Sequence, residues 1–137
     1  MVLNPAETHT LRQKMIQNQL VTRGIHDANV LSAMQQIPRE CFVENQSMEN
    51  IYWDGPLAID HGQTISQPYM VAIMASLLQL QGEETVLEVG AGSGYGAAVL
   101  ALLAKKVVAI ERIPSLLEQA KKRWQALGLH NIIGVLG

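Results

Sequence analysis

The run Glu88-Val89-Gly90-Ala91-Gly92-Ser93-Gly94 restricts this chain more than any other feature. Glycine at every second position lets the backbone turn through positive φ and pass close to a ligand that side chains would hold off. What flanks the run decides its reading. Before it, Thr85-Val86-Leu87-Glu88-Val89 is short and apolar, as expected of a strand covered on both faces. After it, the stretch through Ala97 to Ala104 reads as a helix, whose first turn offers free N–H groups to anything the glycines hold. Val107-Val108-Ala109-Ile110 then reads as a second strand, closed by Glu111. That acid falls about 20 residues after the first glycine, where a carboxylate can accept from both hydroxyls of a ribose. A GxG run alone is often a plain tight turn. Strand, helix and acid together predict a nucleoside site built from Gly90, Gly92, Gly94 and Glu111.

The rest of the second half continues the alternation. Ser115 and Glu118 have the spacing of a capping box. The helix they would open carries Leu116, Leu117, Ala120, Trp124 and Leu127 on one stripe, with Lys121, Lys122 and Arg123 in its later turns. Ile132 to Leu136 is a third strand. Strand-helix-strand-helix-strand predicts a parallel sheet with right-handed crossovers, in the order 3-2-1.

The first half is helical with an irregular middle. Leu11, Met15, Ile16 and Leu20 recur at helical spacing, and Gly24 is a stop. Asp27 can cap a second helix bearing Val30, Leu31 and Met34, which Pro38 ends. From Cys41 to Gln67 no period holds, and long irregular segments tend to be functional or disordered. Pro68 suits the first position of a third helix, expected to bury Met70, Val71, Met74, Leu77 and Leu78.

Composition excludes several classes. The formal net charge of −2 gives no electrostatic reason for nucleic acid or an anionic membrane as partner. No apolar run reaches the ~20 residues of a membrane-spanning helix, and no basic-then-apolar leader opens the chain. Cys41 is the only cysteine, and His9, His26, His61 and His130 lack ligand spacing, so no metal is expected. The cytoplasm is the default compartment. Of the remaining residues, His61 lies nearest the candidate loop, Tyr52 and Trp53 read as pocket flanks or core, and Cys41 and Trp124 as packing.

The nucleoside can be narrowed. Counted from Gly90, the sixth position of a dinucleotide fingerprint is Tyr95, so the pattern fails. Counted from Gly92 it ends at Ala97, which leaves the dinucleotide open. Glu88 would repel a pyrophosphate but can hold an ammonium. An acid followed by GxGxG resembles the first motif of class I S-adenosylmethionine-dependent methyltransferases, with Glu111 as their ribose-binding acid.

A second stretch is more distinctive. Gly62-Gln63-Thr64-Ile65-Ser66-Gln67-Pro68-Tyr69-Met70-Val71-Ala72, followed by the strand and glycine turn, resembles the protein-L-isoaspartate O-methyltransferase family. Arg23 to Ile25, Ile37 to Val43 and Tyr52 to Ile59 match it too. The chain departs from bacterial members at Ala58, where proline is common, and at Asp60, where glycine is common. The resemblance implies an α/β, Rossmann-like class I methyltransferase sheet with an N-terminal helical region. It implies S-adenosyl-L-methionine as cofactor, lined by Gln63, Thr64 and Ile65 besides the glycine turn, and Ser66 as the active-site serine. The substrate implied is the free α-carboxylate of an isoaspartyl residue in damaged proteins and peptides. Its methyl ester closes to a succinimide, and hydrolysis returns some normal aspartate, a protein-repair activity. A carboxylate is already ionised near neutral pH and needs neither base nor metal. Ser66 is therefore read as a hydrogen-bond donor to it, the alternative being an N-cap for the helix from Pro68.

By this resemblance residues 1–137 are expected to form a single, incomplete methyltransferase domain. Residues 1–80 would hold the helices and substrate loop, and 83–137 the cofactor-binding half. Later strands would be missing, which leaves one edge of the strand Val86 to Val89 bare and open to self-association. A truncated enzyme of little activity is the favoured expectation. A chain completed by a partner, a non-catalytic nucleotide- or partner-binding remnant and, less favoured, an NAD-dependent oxidoreductase are the alternatives.

Overall fold

The computed structural model describes residues 4–137. Asn4 opens α1 (Pro5–Met15), its side chain accepting from the Ala6 amide. The helix runs on through a π-helical turn (Ile16–Leu20) and a 3₁₀ turn (Val21–Arg23) to Gly24, whose φ of 91° ends it. Asp27 caps α2 (Ala28–Gln36) by accepting from the Asn29 and Val30 amides. A 3₁₀ turn (Arg39–Phe42), a short α3 (Met48–Ile51) and a two-stranded antiparallel hairpin follow, β1 (Leu57–Ala58) with β2 (Thr64–Ile65). Then come α4 (Pro68–Leu77), β3 (Thr85–Val89), α5 (Tyr95–Ala101), β4 (Lys106–Glu111), α6 (Pro114–Ala126) and β5 (Ile132–Leu136). The last three strands form one parallel sheet in the order β3-β4-β5, with Val86, Val107 and Ile132 in register. That is the strand order predicted, with the glycine turn leaving the edge strand.

Three local expectations are corrected. β3 is covered on one face only. Glu88, Ala109 and Gly134 lie in register on the covered face. There Glu88 abuts Gly96 of α5, and Gly134 lies under Leu117, Lys121 and Trp124 of α6. On the other face Leu87 and Val89 stay 60% and 78% exposed. Successive right-handed crossovers in one direction stack both helices on the same side of the sheet.

The second correction concerns α4. Met70, Met74, Leu77 and Leu78 are exposed, and Ala72 and Ala75 are buried instead. This helix is apolar almost all round, so periodicity could not choose its inner face. The alanines let it approach α2 and the π-helical turn closely. Third, no capping box opens α6. Ile113 holds the cap position without a side-chain bond, and Pro114 follows at the first helical position. The stripe Leu116, Leu117, Ala120 and Trp124 is buried as predicted.

One buried polar cluster fixes the N-terminal half. Arg12 donates through Nε to the Tyr52 hydroxyl at 3.0 Å and through Nη2 to both Glu40 oxygens at 2.9 and 3.0 Å. Tyr52 in turn donates to Glu40. Burial, and then the bond to Glu40, push the Tyr52 phenol far above its ordinary pKa, so it stays a donor. Glu40 is thereby tied to α1, and the turn carrying Arg39 beside it is set in place. Among the described residues no helix is long and apolar enough to cross a membrane.

Candidate functional site

The glycine turn is held from within its own half of the chain. The Gly90 and Ala91 amides both donate to the Ile110 carbonyl, at 2.8 and 2.9 Å, which bends the exit of β3 over the end of β4. Gly92 donates to Glu111 Oε1 at 2.9 Å, and the Ile113 amide to Glu111 Oε2 at 2.9 Å. Glu111 is buried, and each of its oxygens keeps a further lone pair for another donor. Gly94 serves packing: its φ is 93°, and a Cβ there would stand 2.8 Å from Trp124 Nε1. The same Trp124 nitrogen donates to the Gly94 carbonyl at 2.8 Å.

In front of the turn lies a cleft of about 420 Å³, between β2 and α4 on one side and β3 with the glycine turn on the other. Thr64, Ile65, Ser66, Glu88, Gly90 and Gly92 all face it. The exposed α4 stripe supplies its apolar wall through Val71, Met74 and Leu78. Of the residues singled out from sequence, Gln63, Gly94 and Glu111 lie off its walls. Glu111 reaches the turn from behind. Gln63 closes the hairpin, its carbonyl accepting from the Ile59 amide at 2.9 Å.

Three cleft-lining residues carry polar groups without hydrogen-bond partners, Glu88, Ser66 and Tyr95, the last through its buried hydroxyl. Glu88 Oε1 is buried without a hydrogen bond. Burial alone pushes this carboxyl up to about 7. Its other oxygen fills the space above Gly96, where a Cβ would stand 2.4 Å away. The residue pattern there requires glycine because the acid occupies the volume. Ser66 is the second. Its side chain is exposed, and its hydroxyl makes no hydrogen bond to the described residues. Gln67, not Ser66, holds the cap position of α4, and it makes no side-chain cap bond.

The peptide units around Ser66 are nevertheless fixed. Arg39 Nη2 donates to the Ser66 carbonyl at 2.9 Å. Gln67 Nε2 donates to Asp54 Oδ1 at 2.6 Å, and Asp54 pairs with Arg23. The Arg23 bond first, and the Gln67 bond second, hold the Asp54 carboxyl down to about 2. In the hairpin turn, His61 (φ 61°) and Gly62 (φ 66°) take the positive φ values, so Asp60 does not have to. His61 Nε2 lies 2.7 Å from Ser115 Oγ, which closes the hairpin onto the start of α6.

Sequence reading overlooked Arg39, Asp54 and Tyr95. Tyr95 begins α5 and faces the cleft. Arg39 and Asp54 had no signal in spacing beyond lying inside family-like stretches. Tyr52 and Trp53, considered as flanks, do not face the cleft: Tyr52 is buried with Glu40 and Trp53 packs on Gly55.

An orphaned buried carboxylate, open backbone at the glycines, an acid behind them and an apolar wall match a small molecule with an ammonium and a sugar hydroxyl pair. Comparisons with known proteins bear on which. The model of the protein-L-isoaspartate(D-aspartate) O-methyltransferase family matches residues 10–137. The protein-L-isoaspartate O-methyltransferase 1 of Syntrophobacter fumaroxidans is 53% identical over 89% of this chain and 57% of its own length. That of Rhodopseudomonas palustris is 52% identical over 88% of this chain and 49% of its own. The chain thus spans about half the length of these relatives. A solved protein-L-isoaspartate O-methyltransferase superposes with a TM-score of 0.83 at 31% identity, over 92% of this chain and 42% of its own. A Plasmodium falciparum protein-L-isoaspartate O-methyltransferase, solved with S-adenosyl-L-homocysteine, gives 0.75 at 25% identity, over 92% of this chain and 62% of its own. A family match across almost the whole sequence, with the same α/β fold, establishes that this chain belongs to the protein-L-isoaspartate(D-aspartate) O-methyltransferase family.

Proposed function

We propose that this chain binds S-adenosyl-L-methionine at the Gly90–Gly94 turn and presents to it the free α-carboxylate of an isoaspartyl residue, held at Ser66. The observation that carries the reading is a pair of unpartnered groups in one cleft, buried Glu88 Oε1 and the free Ser66 hydroxyl. When bound, S-adenosyl-L-methionine supplies an electrophilic methyl group on a sulfonium. Glu88 receives the ammonium, which removes the cost of its own buried charge. Glu111 offers its remaining lone pairs to ribose hydroxyls, while its bonds to Gly92 and Ile113 keep the turn in shape. Ser66 donates to one carboxylate oxygen and leaves the other free to attack. The cleft then has only to align and partly desolvate, since an ionised carboxylate needs no base. Gln63, Thr64 and Ile65 set the hairpin that closes the cleft from above. The cytoplasm is the compartment we expect for this chemistry.

Calorimetry with S-adenosyl-L-homocysteine and with NAD tests the cofactor. Binding of the first and not the second is expected, and the reverse would replace the reading by an oxidoreductase. Transfer of a labelled methyl group to an isoaspartyl peptide, and not to its aspartyl counterpart, tests the reaction. Cofactor binding without transfer would leave a binding remnant in its place.

A second reading concerns association. The outer edge of β3 pairs with no described strand, and Leu87 and Val89 beside it are exposed. Such an edge favours pairing with another copy. Sedimentation should show self-association that Val89→Lys abolishes; a monomer at all concentrations would end this reading.

A further inference from the structure

We infer that Arg39 is a positioning residue for the serine that receives the substrate carboxylate. The inference rests on the function proposed above. Arg39 is 0% exposed, yet no carboxylate pairs with it among the described residues. Burying a cation without an anion is costly, and folds usually neutralise it or replace it with apolar groups. Here the guanidinium is instead committed to two carbonyls. Nε donates to Ile51 at 2.8 Å, and Nη2 donates to Ser66 at 2.9 Å. Its plane lies against Tyr95, with Cζ 5.0 Å from the ring centroid. Tyr95 is the first residue of α5, directly after Gly94; it is buried, packs edge-on against Phe42 and is among the residues lining the cleft.

One side chain therefore touches the serine's own peptide unit and the helix that springs from the glycine turn. A rigid fork holds two carbonyls through two nitrogens at a fixed separation, whereas a lysine has a single donor nitrogen on a flexible stem. Misplacement of a substrate-binding group by as little as 1 Å is enough to lose much of its contribution. Nη1 and the Tyr95 hydroxyl have no other partner and interact with each other, which ties the guanidinium to the start of α5. Arg39 acts through Ser66 and does not itself meet the substrate.

Arg39→Lys keeps the charge and removes the fork. Each protein is first saturated with S-adenosyl-L-homocysteine, which blocks turnover, and titrated with an isoaspartyl peptide by calorimetry. Arg39→Lys should weaken peptide binding ~10-fold and leave homocysteine-nucleoside affinity within ~3-fold, because the glycine turn keeps its own bonds. Ser66→Ala should cost a similar factor, and the double variant no more than ~2-fold beyond Ser66→Ala, since coupled residues are not additive. Full additivity, unchanged peptide affinity in Arg39→Lys, or equal loss of both ligands would overturn the inference. Should Arg39→Lys fail to fold, Arg39→Gln repeats the cycle without a buried charge. Failure of both to fold would mark Arg39 as purely structural and end the proposal. If the unaltered protein takes neither ligand, the function proposed above falls first and carries this inference with it.

Discussion

The two segments that meet across the cleft are built on opposite plans. The Gly90–Gly94 turn is held by groups of the next strand and helix of the same sheet layer: the Ile110 carbonyl, the Glu111 carboxylate and the Trp124 indole. The segment from Leu57 to Gln67 is a hairpin of two-residue strands, anchored by side chains from the N-terminal half and, at His61, by Ser115 of α6. Arg39 holds the Ser66 carbonyl, and Arg23 holds Asp54 against Gln67. The first plan uses backbone conformation and buried bonds, and is stiff. The second uses long side chains, one fully buried (Arg39) and one partly exposed (Arg23 with Asp54), so only the Asp54 anchor can be altered with little effect on folding.

The largest effect is expected from Gly94→Ala. The new methyl group would meet Trp124 and Ala120 at a φ of 93°, which only glycine adopts readily. A loss of about 3 kcal/mol, read from the urea midpoint, follows from strain and overpacking together. A shift under about 1 kcal/mol would show that the turn is softer than described. Glu111→Ala comes next, because the part-buried Gly92 and Ile113 amides lose a charged acceptor. About 2 kcal/mol is expected in the same assay, with weaker S-adenosyl-L-homocysteine binding. Unchanged stability would contradict the account of the turn.

Glu88 sharpens the contrast through pH. Its carboxyl in the protein without ligand is pushed up to about 7, above its ordinary 4.5. The folded state therefore binds more protons than the unfolded state between those values, and this residue's contribution to stability falls as pH rises through that window. A bound ammonium favours the ionised form, so binding below about pH 7 expels a proton. Affinity for S-adenosyl-L-homocysteine should rise with pH up to about 7, by no more than about tenfold per unit. Glu88→Gln should flatten the profile; an identical slope in that variant would exclude Glu88 as the cause. The smallest effect is expected from Asp54→Asn. The exposed pair with Arg23 adds little to folding, so the melting temperature should barely move. Faster amide exchange near Gln67 should be the visible change, and its absence would mean the hairpin does not depend on this anchor.

The same contrast explains what could be read in advance. The β-α-β-α-β alternation, the sheet order and the position of Glu111 were legible because strand and helix periods are local, and because the glycine turn and its acid lie on neighbouring strands. The Asp27 cap and the Gly24 stop were legible for the same reason. The inner face of α4 was not. An apolar helix has no stripe to read: Met74 and Leu78 line the cleft with Val71 and Ala75, Met70 and Leu77 stay exposed outside it, and Ala72 packs inward. Nor was the expected Ser115–Glu118 box realised. Glu111 takes the Ile113 amide, and Ser115 lies against His61, 54 residues away in the chain. Two-residue strands give no alternation, so the hairpin before Ser66 left no mark in the pattern.

Sequence alone determined the parallel sheet, the glycine turn with its acid, and membership in a family through stretches that run nearly the length of the chain. These depend on backbone propensity and on groups only one strand apart. Tertiary structure decided which face of the sheet is covered, which side of α4 makes the cleft wall, and that a buried arginine holds the serine's carbonyl. Those choices leave no periodic or motif signal in the chain, because packing volume and the pairing of buried polar groups outweigh any local preference there.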